Sequence, residues 1–311
     1  MRIPGKALCV AAVALAGIYM FIGCGGNKTQ AHLPVRELFQ QAKFKYDHKK
    51  YLSAIELFQS VVYNYPGETI IDTAQYFLAL SYFGNHDYSL AEAEFNRYLL
   101  NYPTSAYATE SQMMKAVCAF EATPHHFGLD QTQLDDAIRQ LDDFITDHPD
   151  AESTADAKKY LAAARERLAH KYYNSAVTYD HMGQYAAAKV YYQKVIDDYT
   201  ETEFAALAGY HIADAEMQLK QFDDARKRFE TFILVFPQHP LVPKAAIKAR
   251  EAALKGAVAI YDKGDLKAAG EKFSLVQKDF PDSDQARKAA QYLEKIRRQV
   301  PDTAQSPDAK S

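Results

Sequence analysis

Histidines and carboxylates are the side chains of this sequence that could do chemistry, as metal ligands or as general acids and bases. The ten histidines are scattered, and none forms the helical pair of an HExxH metal site. His125 and His126 are adjacent, so on a helix they would not share a face. The sequence therefore predicts neither a metal site nor a catalytic constellation. We expect no enzyme activity and no cofactor.

The three cysteines, Cys9, Cys24 and Cys118, have different surroundings. Cys118 lies in an apolar helical run, which predicts a small buried side chain. Cys9 lies in a segment that we expect to be removed. No disulfide framework can be built from these residues. Covalent chemistry is therefore expected at Cys24 alone.

Residues 1–23 have the composition of an export signal. Arg2 and Lys6 precede a 16-residue apolar run, which is short for a membrane-spanning helix. The run ends at Phe21-Ile22-Gly23-Cys24, which resembles a bacterial lipoprotein signal, although an aliphatic residue is usual where Phe21 stands. The resemblance implies cleavage before Cys24 and covalent lipid on its thiol. An uncleaved anchor or an ordinary signal is the alternative.

The residue after the lipidated cysteine bears on localisation. Gly25 stands there instead of Asp, which by resemblance to lipoprotein sorting rules favours the outer membrane. Several acyl chains, at about 0.8 kcal/mol per buried methylene, hold a soluble domain firmly on a bilayer. Residues 24–33 are polar and are predicted to be a flexible tether.

Charge excludes one class of partner. The whole chain has a net charge of −4, and residues 1–23 carry two basic residues and no acidic ones, so the remainder carries −6. No basic stripe emerges along the sequence. Nucleic-acid binding is therefore not expected.

Six segments share one spacing of residues, seen clearly in Tyr88–Pro103. An aromatic residue or Leu is followed by Ala three residues later, by large apolar residues four and seven after that Ala, and by Pro twelve after it. On a helix these positions form one stripe, which Pro terminates. In the fourth segment Thr200 replaces Pro. The key alanines are Ala54, Ala91, Ala137, Ala188, Ala225 and Ala269.

A second set of small residues precedes the first by twelve positions. The third segment has His125 there, and the others have Ala42, Ala79, Ala176, Ala213 and Ala257. Small residues at this position predict a helix A that packs closely on the patterned helix B. Gly84, Gly183 and Gly264 fall in the A-to-B turns, where a left-handed residue is often needed.

This pattern is that of the tetratricopeptide repeat. It predicts an all-α solenoid of about six helix pairs over residues 34–298, with a disordered tail at 299–311. Successive key alanines are 37 to 51 residues apart instead of 34, so we expect longer helices or inserted loops. The clearest insertion, at residues 123–130, contains Pro124 and Gly128.

Four short motifs carry a resemblance to a known family: His126-Phe127-Gly128-Leu129-Asp130, Arg167-Leu168-Ala169, Tyr172-Tyr173 and Gly183-Gln184-Tyr185-Ala186-Ala187-Ala188. With the lipoprotein signal and the repeats, they resemble the BamD family of the β-barrel assembly machinery over about residues 24–237. Two departures concern partner contacts. The family usually has five repeats, and an acidic residue often found after the Leu-Ala pair has no counterpart here.

The resemblance implies a non-enzymatic scaffold on the periplasmic face of the outer membrane. Its amino-terminal half would receive the C-terminal sorting segments of unfolded outer-membrane proteins. Its carboxy-terminal half would dock on the periplasmic domains of the barrel-forming subunit. The alternative is a tetratricopeptide-repeat lipoprotein for envelope maintenance, pilus assembly or polysaccharide export, which the sixth repeat keeps open.

Two sets of residues are candidates for binding. Positions next to Ala42 and Ala79 should lean toward a groove lined by the A helices, where an extended peptide would bind, unless they form the core between repeats. These peptide-groove candidates are Phe39, Lys43, Tyr46, Tyr76, Leu80 and Phe83. Partner-contact candidates are Phe127 in the inserted loop and the Asp197-Asp198 pair, which is either an acidic contact for a basic partner or ordinary surface charge.

Overall fold

The computed structural model describes residues 34–299, and these residues are helical apart from the connections. In order, the helices are α1 (Val35–Asp47), α2 (Tyr51–Asn64), α3 (Ile71–Gly84), α4 (Tyr88–Asn101), α5 (Ala108–Ala122), α6 (Thr132–Asp147), α7 (Thr154–His181), α8 (Tyr185–Asp198), α9 (Glu203–Gln218), α10 (Phe222–Val235), α11 (Val242–Asp262), α12 (Leu266–Asp279) and α13 (Asp284–Gln299). This order confirms an all-α tetratricopeptide-repeat fold of six helix pairs, followed by one further helix. The predicted signal segment 1–23, tether 24–33 and residues 300–311 of the tail lie outside the described residues.

The helices divide into two compact units. The first, which we call unit 1, contains α1 to α3 and ends at Asn85. The second, unit 2, begins at His86 and contains α4 to α13. Within unit 2 the helices from α5 onward pack on the next helix in sequence and several also on the one after it, as expected when each repeat contacts its neighbours.

The two sets of alanines explain why these helices pair. All six key alanines of the B helices are fully buried, and so are Ala42, Ala79, Ala176, Ala213 and Ala257 on the A helices. An Ala at a crossing lets two helix backbones approach closely, while the large residues of the stripe fill the space on either side. Phe58, Phe95, Phe144, Tyr192, Phe229 and Phe273 occupy those positions with no exposed surface.

The irregular repeat spacing has two structural causes. The third pair contains an inserted connection between α5 and α6, as predicted. Two A helices are also long: α7 has 28 residues and α11 has 21, against 13 to 16 in the other helices. Among the described helices, none is long and apolar enough to cross a membrane.

Three of the six A-to-B turns share one backbone geometry. Lys49, Gly183 and Lys220 each adopt a positive φ, and the amide of the following residue donates to the carbonyl five residues back. This is the Schellman ending of a helix, in which a left-handed residue lets two carbonyls be satisfied. His86 and Gly264 also adopt positive φ two residues before a B helix.

The predicted role of Gly84 as a left-handed turn residue is wrong. It is the last residue of α3 and is not among the residues with positive φ. A Cβ at this position would lie 2.5 Å from the ring of Tyr51, so the missing side chain makes room for that ring. The glycine serves close packing in unit 1 and not the left-handed turn.

Candidate functional site

The α1 candidates of unit 1 converge on one ring that the sequence pattern did not single out. Phe77 of α3 lies 6.4 Å from the ring of Phe39 and 5.3 Å from that of Tyr46, both edge-to-face. The Lys43 ammonium lies 4.8 Å from the centre of the same ring and pairs with Asp47. Phe39, Lys43 and Tyr46 are half-buried, so each packs on the core and keeps part of its surface exposed.

The α3 candidates differ among themselves. Tyr76 is only 4% exposed and packs edge-to-face on Phe77, so in this conformation it belongs to the core. Leu80 and Phe83 are half-buried. Five of the six groove candidates therefore retain accessible surface, while Tyr76 offers almost none. Because helix spacing gives the face of a side chain but not its depth, the sequence could not separate these cases.

Gln131 and Arg167, for which the sequence pattern predicted no role, hold the inserted loop of unit 2 in place. The Gln131 side chain, which is 1% exposed, donates to the carbonyls of Pro124 at 2.7 Å and His126 at 3.2 Å. Arg167 of α7 donates to the Phe120 carbonyl at 3.3 Å, and its guanidinium lies 4.0 Å from the Phe120 ring. A hydrogen bond from Thr132 lowers the pKa of the Asp130 carboxyl where α6 begins.

Phe127 begins a row of rings across unit 2. It stacks on His126 at 4.8 Å and lies 5.1 Å from His170 of α7. His170 stacks on Phe204 of α9 at 4.7 Å, and Phe204 lies 5.4 Å from Tyr173. All except the exposed His126 are half-buried. We call Phe127, His170, Phe204 and Tyr173 the aromatic row.

The aromatic row continues into a group of ionisable side chains. His211 of α9 lies 6.0 Å from the Tyr173 ring and 5.9 Å from the Tyr192 ring. Burial lowers the pKa of His211, while the carboxylates of Asp214 and Asp180 oppose that shift. Tyr173 and Asp180 stand three before and four after Ala176, the register that pointed to a groove in the first two repeats. Applied to the fourth repeat, that register would have found both residues.

Asp197 and Asp198 lie at the end of α8, on a surface shared with α10. Both are exposed. The Asp198 carboxylate accepts from the Lys194 ammonium at 2.7 Å, and Asp197 accepts from the Gln193 amide at 2.7 Å. Both acids therefore already have partners on their own helix, which lowers their attraction for an outside cation. They line an open groove whose other residues include Lys189, Val190 and Arg228.

The same groove covers a buried carboxylate that was not foreseen. Glu216 of α9 is 1% exposed and pairs with Lys189 of α8 at 2.9 Å and with Arg228 of α10 at 2.8 Å. A buried carboxylate must be paired, and the two cations come from helices on either side in sequence. This network joins α8, α9 and α10.

Two further predictions concern cysteines. Cys118 is fully buried, as expected from its apolar surroundings, and burial raises the pKa of its thiol. Cys24, the predicted lipidation site, lies outside the described residues.

No group of three or more His, Cys, Asp or Glu side chains in residues 34–299 could hold a metal ion.

Comparisons with solved structures give helical-repeat proteins of low similarity. The TPR2AB domain of yeast Sti1, in its complex with pHSP90, is 16% identical, with a TM-score of 0.38, covering 84% of this chain and 98% of that one. The tetratricopeptide domain of P58(IPK) is 13% identical, with a TM-score of 0.35, covering 85% of this chain and 66% of that one. At these scores the fold assignment rests on the helix pairs and their buried alanines.

Sequence comparisons are more specific. The outer membrane protein assembly factor BamD of Rickettsia prowazekii is 24% identical over 207 residues, which cover 66% of this chain and 82% of the relative. BamD of Caulobacter vibrioides is 22% identical over 236 residues, covering 74% and 76%. The profile of the YfiO family, described as an outer membrane lipoprotein, matches residues 31–228. The match spans both units and ends in α10. This chain therefore belongs to the YfiO/BamD family of outer membrane lipoproteins.

Proposed function

We propose that this protein is a lipid-anchored scaffold of outer-membrane β-barrel assembly, exposed on the periplasmic side. Family membership over residues 31–228 is the observation that carries the proposal. Lipid on Cys24 would confine the helical units to the membrane surface, where confinement raises their effective concentration toward membrane partners. A scaffold functions by binding its partners, so the proposal includes no catalytic step.

Unit 1 is proposed to bind unfolded segments of outer-membrane proteins. Phe39 and Tyr46 keep exposed ring surface beside Lys43, which offers apolar contact together with one positive charge. Such a surface suits an extended chain with aromatic side chains and a terminal carboxylate. Leu80 and Phe83 extend the half-buried apolar surface on α3.

Unit 2 is proposed to dock on the periplasmic domains of the barrel-forming subunit. Phe127 is presented by a loop that Gln131 and Arg167 hold in place, so its ring meets a partner with little loss of conformational entropy. Asp197 and Asp198 lie on the α8–α10 groove beside the exposed Val190. These residues would supply the polar rim of an interface whose apolar contact comes from the ring and the valine.

Affinity purification of the full chain from gently solubilised envelopes tests this function. We expect co-purification of a barrel protein that carries periplasmic repeat domains. Reproducible recovery of a pilus or polysaccharide-export protein in its place would overturn the proposal.

Point variants in the same experiment assign the surfaces. Phe127→Ala should reduce recovery of the barrel protein, whereas Leu129→Ala, which removes an exposed side chain from the same loop, should not. For the acidic pair, Asp197→Asn with Asp198→Asn is compared with the same change at the exposed Asp142 and Asp143 of α6. Equal recovery with both pairs would remove the acidic contact from the proposal.

Crosslinking tests the substrate surface of unit 1. A photoreactive amino acid at Phe39 should trap newly exported outer-membrane proteins, and Lys43→Gln should lower the yield more than Lys45→Gln on the same helix. Equal yields from both lysine variants would show that the ammonium over Phe77 has no part in binding.

The anchor has its own experiment. Mass spectrometry of the mature amino terminus should find acyl chains on Cys24, and a Cys24→Ala variant whose signal has been cleaved should leave the membrane fraction. A cleaved variant that stays membrane-bound would show that lipid on this residue is not the anchor.

A further inference from the structure

Beside the aromatic row, unit 2 gathers charged side chains from three A helices on one face. Asp180 lies on α7, His211 and Asp214 on α9, and Lys248 on α11. The Lys248 ammonium pairs with Asp214. The α11 helix lies beyond residue 228, where the family match ends, so the cluster includes a residue from the additional repeat.

One polar group of this cluster is buried without a hydrogen-bond partner, and a second has no partner within the described protein. The Tyr192 side chain has no exposed surface, and its hydroxyl has no hydrogen-bond partner among residues 34–299. The half-buried Asp180 carboxylate makes no ion pair or hydrogen bond to any residue in 34–299, although it lies close enough to Tyr192 and His211 to influence both electrostatically. A buried polar group without a partner costs about 1–3 kcal/mol, so native proteins retain few of them outside binding sites.

The charges around the site favour a cation. Asp180 and Asp214 carry two negative charges, and Lys248 supplies one positive charge. Glu251 of α11 lies close enough to Lys248 and Tyr210 to interact electrostatically with both, and its carboxylate adds a further negative charge. Burial lowers the pKa of His211, which favours its neutral form. The exposed His181 adjoins Asp180 at the solvent side. The cluster therefore has a net negative charge at neutral pH.

The chemistry of the surrounding side chains selects the kind of cation. No set of three metal-ligating side chains in the described part of the chain could hold a metal ion, which argues against a divalent ion at this cluster. Tyr173 of the aromatic row lies close enough to Asp180, and Tyr210 of α9 close enough to Asp214, for electrostatic interaction, so an aromatic side chain lies near each acid. A guanidinium group pairs with a carboxylate through two parallel hydrogen bonds and also stacks on aromatic faces.

We propose that this cluster is an arginine-binding site, in which Asp180 receives the guanidinium group of an extended polypeptide partner lying along the aromatic row. The proposal rests on the scaffold function above and specifies the partner chemistry that unit 2 recognises. Lys248 keeps Asp214 neutralised, so that Asp180 is the acid left to the ligand.

A pair of synthetic peptides tests the site directly with the purified full chain in detergent. One is an eleven-residue peptide, Ser-Thr-Ser-Tyr-Ser-Arg-Ser-Tyr-Ser-Thr-Ser, and the other has citrulline in place of Arg, which keeps the shape and removes the charge. We expect the arginine peptide to bind about tenfold more tightly by calorimetry. Asp180→Asn should abolish that difference, while Asp262→Asn, an exposed acid at the end of α11, should preserve it. Equal binding of both peptides, or no binding, would overturn the proposal.

Two further measurements separate the competing outcomes. Addition of Zn²⁺ alone should leave the His211 and Tyr192 resonances unchanged, and a specific shift would make the cluster a metal site instead. Co-purification from envelopes distinguishes this inference from the scaffold function. If the wild-type chain recovers no barrel protein, the scaffold function fails, whereas equal recovery by wild type and Asp180→Asn means that the arginine site has no part in it.

Discussion

The ring clusters of the two units use similar side chains in different ways. In unit 1, Phe39, Tyr46 and Phe58 all pack around Phe77, and the one charge over that ring, on Lys43, is paired with Asp47. In unit 2, the aromatic row leads to Tyr192, whose buried hydroxyl has no hydrogen-bond partner in residues 34–299, and to the half-buried Asp180, whose carboxylate pairs with none of those residues. The first cluster offers half-buried ring surface beside a charge that is already paired, while the second offers ring surface beside an acid that has no partner in the described residues. The two clusters therefore suit different partner chemistry: mainly apolar contact in unit 1, and contact with a cation in unit 2.

Truncating the central ring of each cluster should give the largest difference. Phe77→Ala removes edge-to-face or stacked contacts with Phe39, Tyr46 and Phe58, so we expect unit 1 to lose about 3 kcal/mol. Phe204→Ala removes ring contacts with His170 and Tyr173, and should cost unit 2 about 1–2 kcal/mol. Hydrogen exchange resolved by helix would report α1–α3 and α7–α9 separately. An equal loss in both units would make the aromatic row a structural core like the first.

Neutralising one acid in each unit tests the electrostatic half of the comparison. Asp180→Asn should stabilise unit 2 by about 0.5 kcal/mol, because it removes a partly desolvated charge that has no partner in residues 34–299, while solvent screens the rest of its cost. Asp47→Asn breaks an exposed pair with Lys43 and should change the stability of unit 1 by less than about 0.5 kcal/mol. Urea denaturation followed by circular dichroism measures both. A destabilised Asp180→Asn protein would mean that the carboxylate already has a stabilising role in the free chain.

The turns offer a smaller, matched test. Lys49 in unit 1 and Gly183 in unit 2 occupy equivalent left-handed positions. Lys49→Gly should stabilise by about 0.5–1 kcal/mol, since glycine adopts positive φ without steric cost. Gly183→Ala should destabilise by a similar amount for the same reason. Thermal unfolding of the two variants should shift in opposite directions, and shifts of the same sign would contradict the assignment of these turns.

The smallest expected effect is a pH dependence confined to unit 2. Burial lowers the pKa of His211, so the unfolded chain takes up a proton near pH 6.5 while the folded chain stays neutral, and stability falls as pH drops below that value. Burial raises the pKa of Asp180 above the ordinary carboxyl value of 3.8. At pH values just above 3.8 the folded chain therefore binds the proton more readily than the unfolded chain, and this group adds stability as pH falls. Between pH 7.5 and 5.5 we expect a loss of about 0.5 kcal/mol that is absent in His211→Gln. A parallel loss in that variant would show that another group is responsible.

Helix identity and pairing were predictable because they depend on short-range periodicity. Tyr88–Pro103 predicted a helix that ends before Pro103, and α4 runs from Tyr88 to Asn101. The key alanines of both helix types are buried as expected. The depth of a residue on the predicted groove face was not predictable, as Tyr76 and Phe83 show, because depth depends on which side chains of neighbouring helices cover it.

Long-range partners were also beyond the sequence pattern. Gln131 and Arg167 hold the loop that presents Phe127, yet Arg167 is 44 residues from Thr123, whose carbonyl it also contacts. Gly84 was assigned to a turn because glycine favours such positions, whereas the Tyr51 ring is what requires it.

The sequence by itself determined the helical repeat and the resemblance to a family, because each resides in residues close together along the chain; the lipid anchor at Cys24 stays a prediction from the same kind of local pattern. Only the tertiary structure decided which polar groups share a site. Asp180, His211 and Lys248 come from three different helices, and they meet because successive repeats stack with their A helices adjacent. Whether a polar group lacks a hydrogen-bond partner also depends on the tertiary structure. An acid or a tyrosine hydroxyl is satisfied by water until neighbouring side chains bury it.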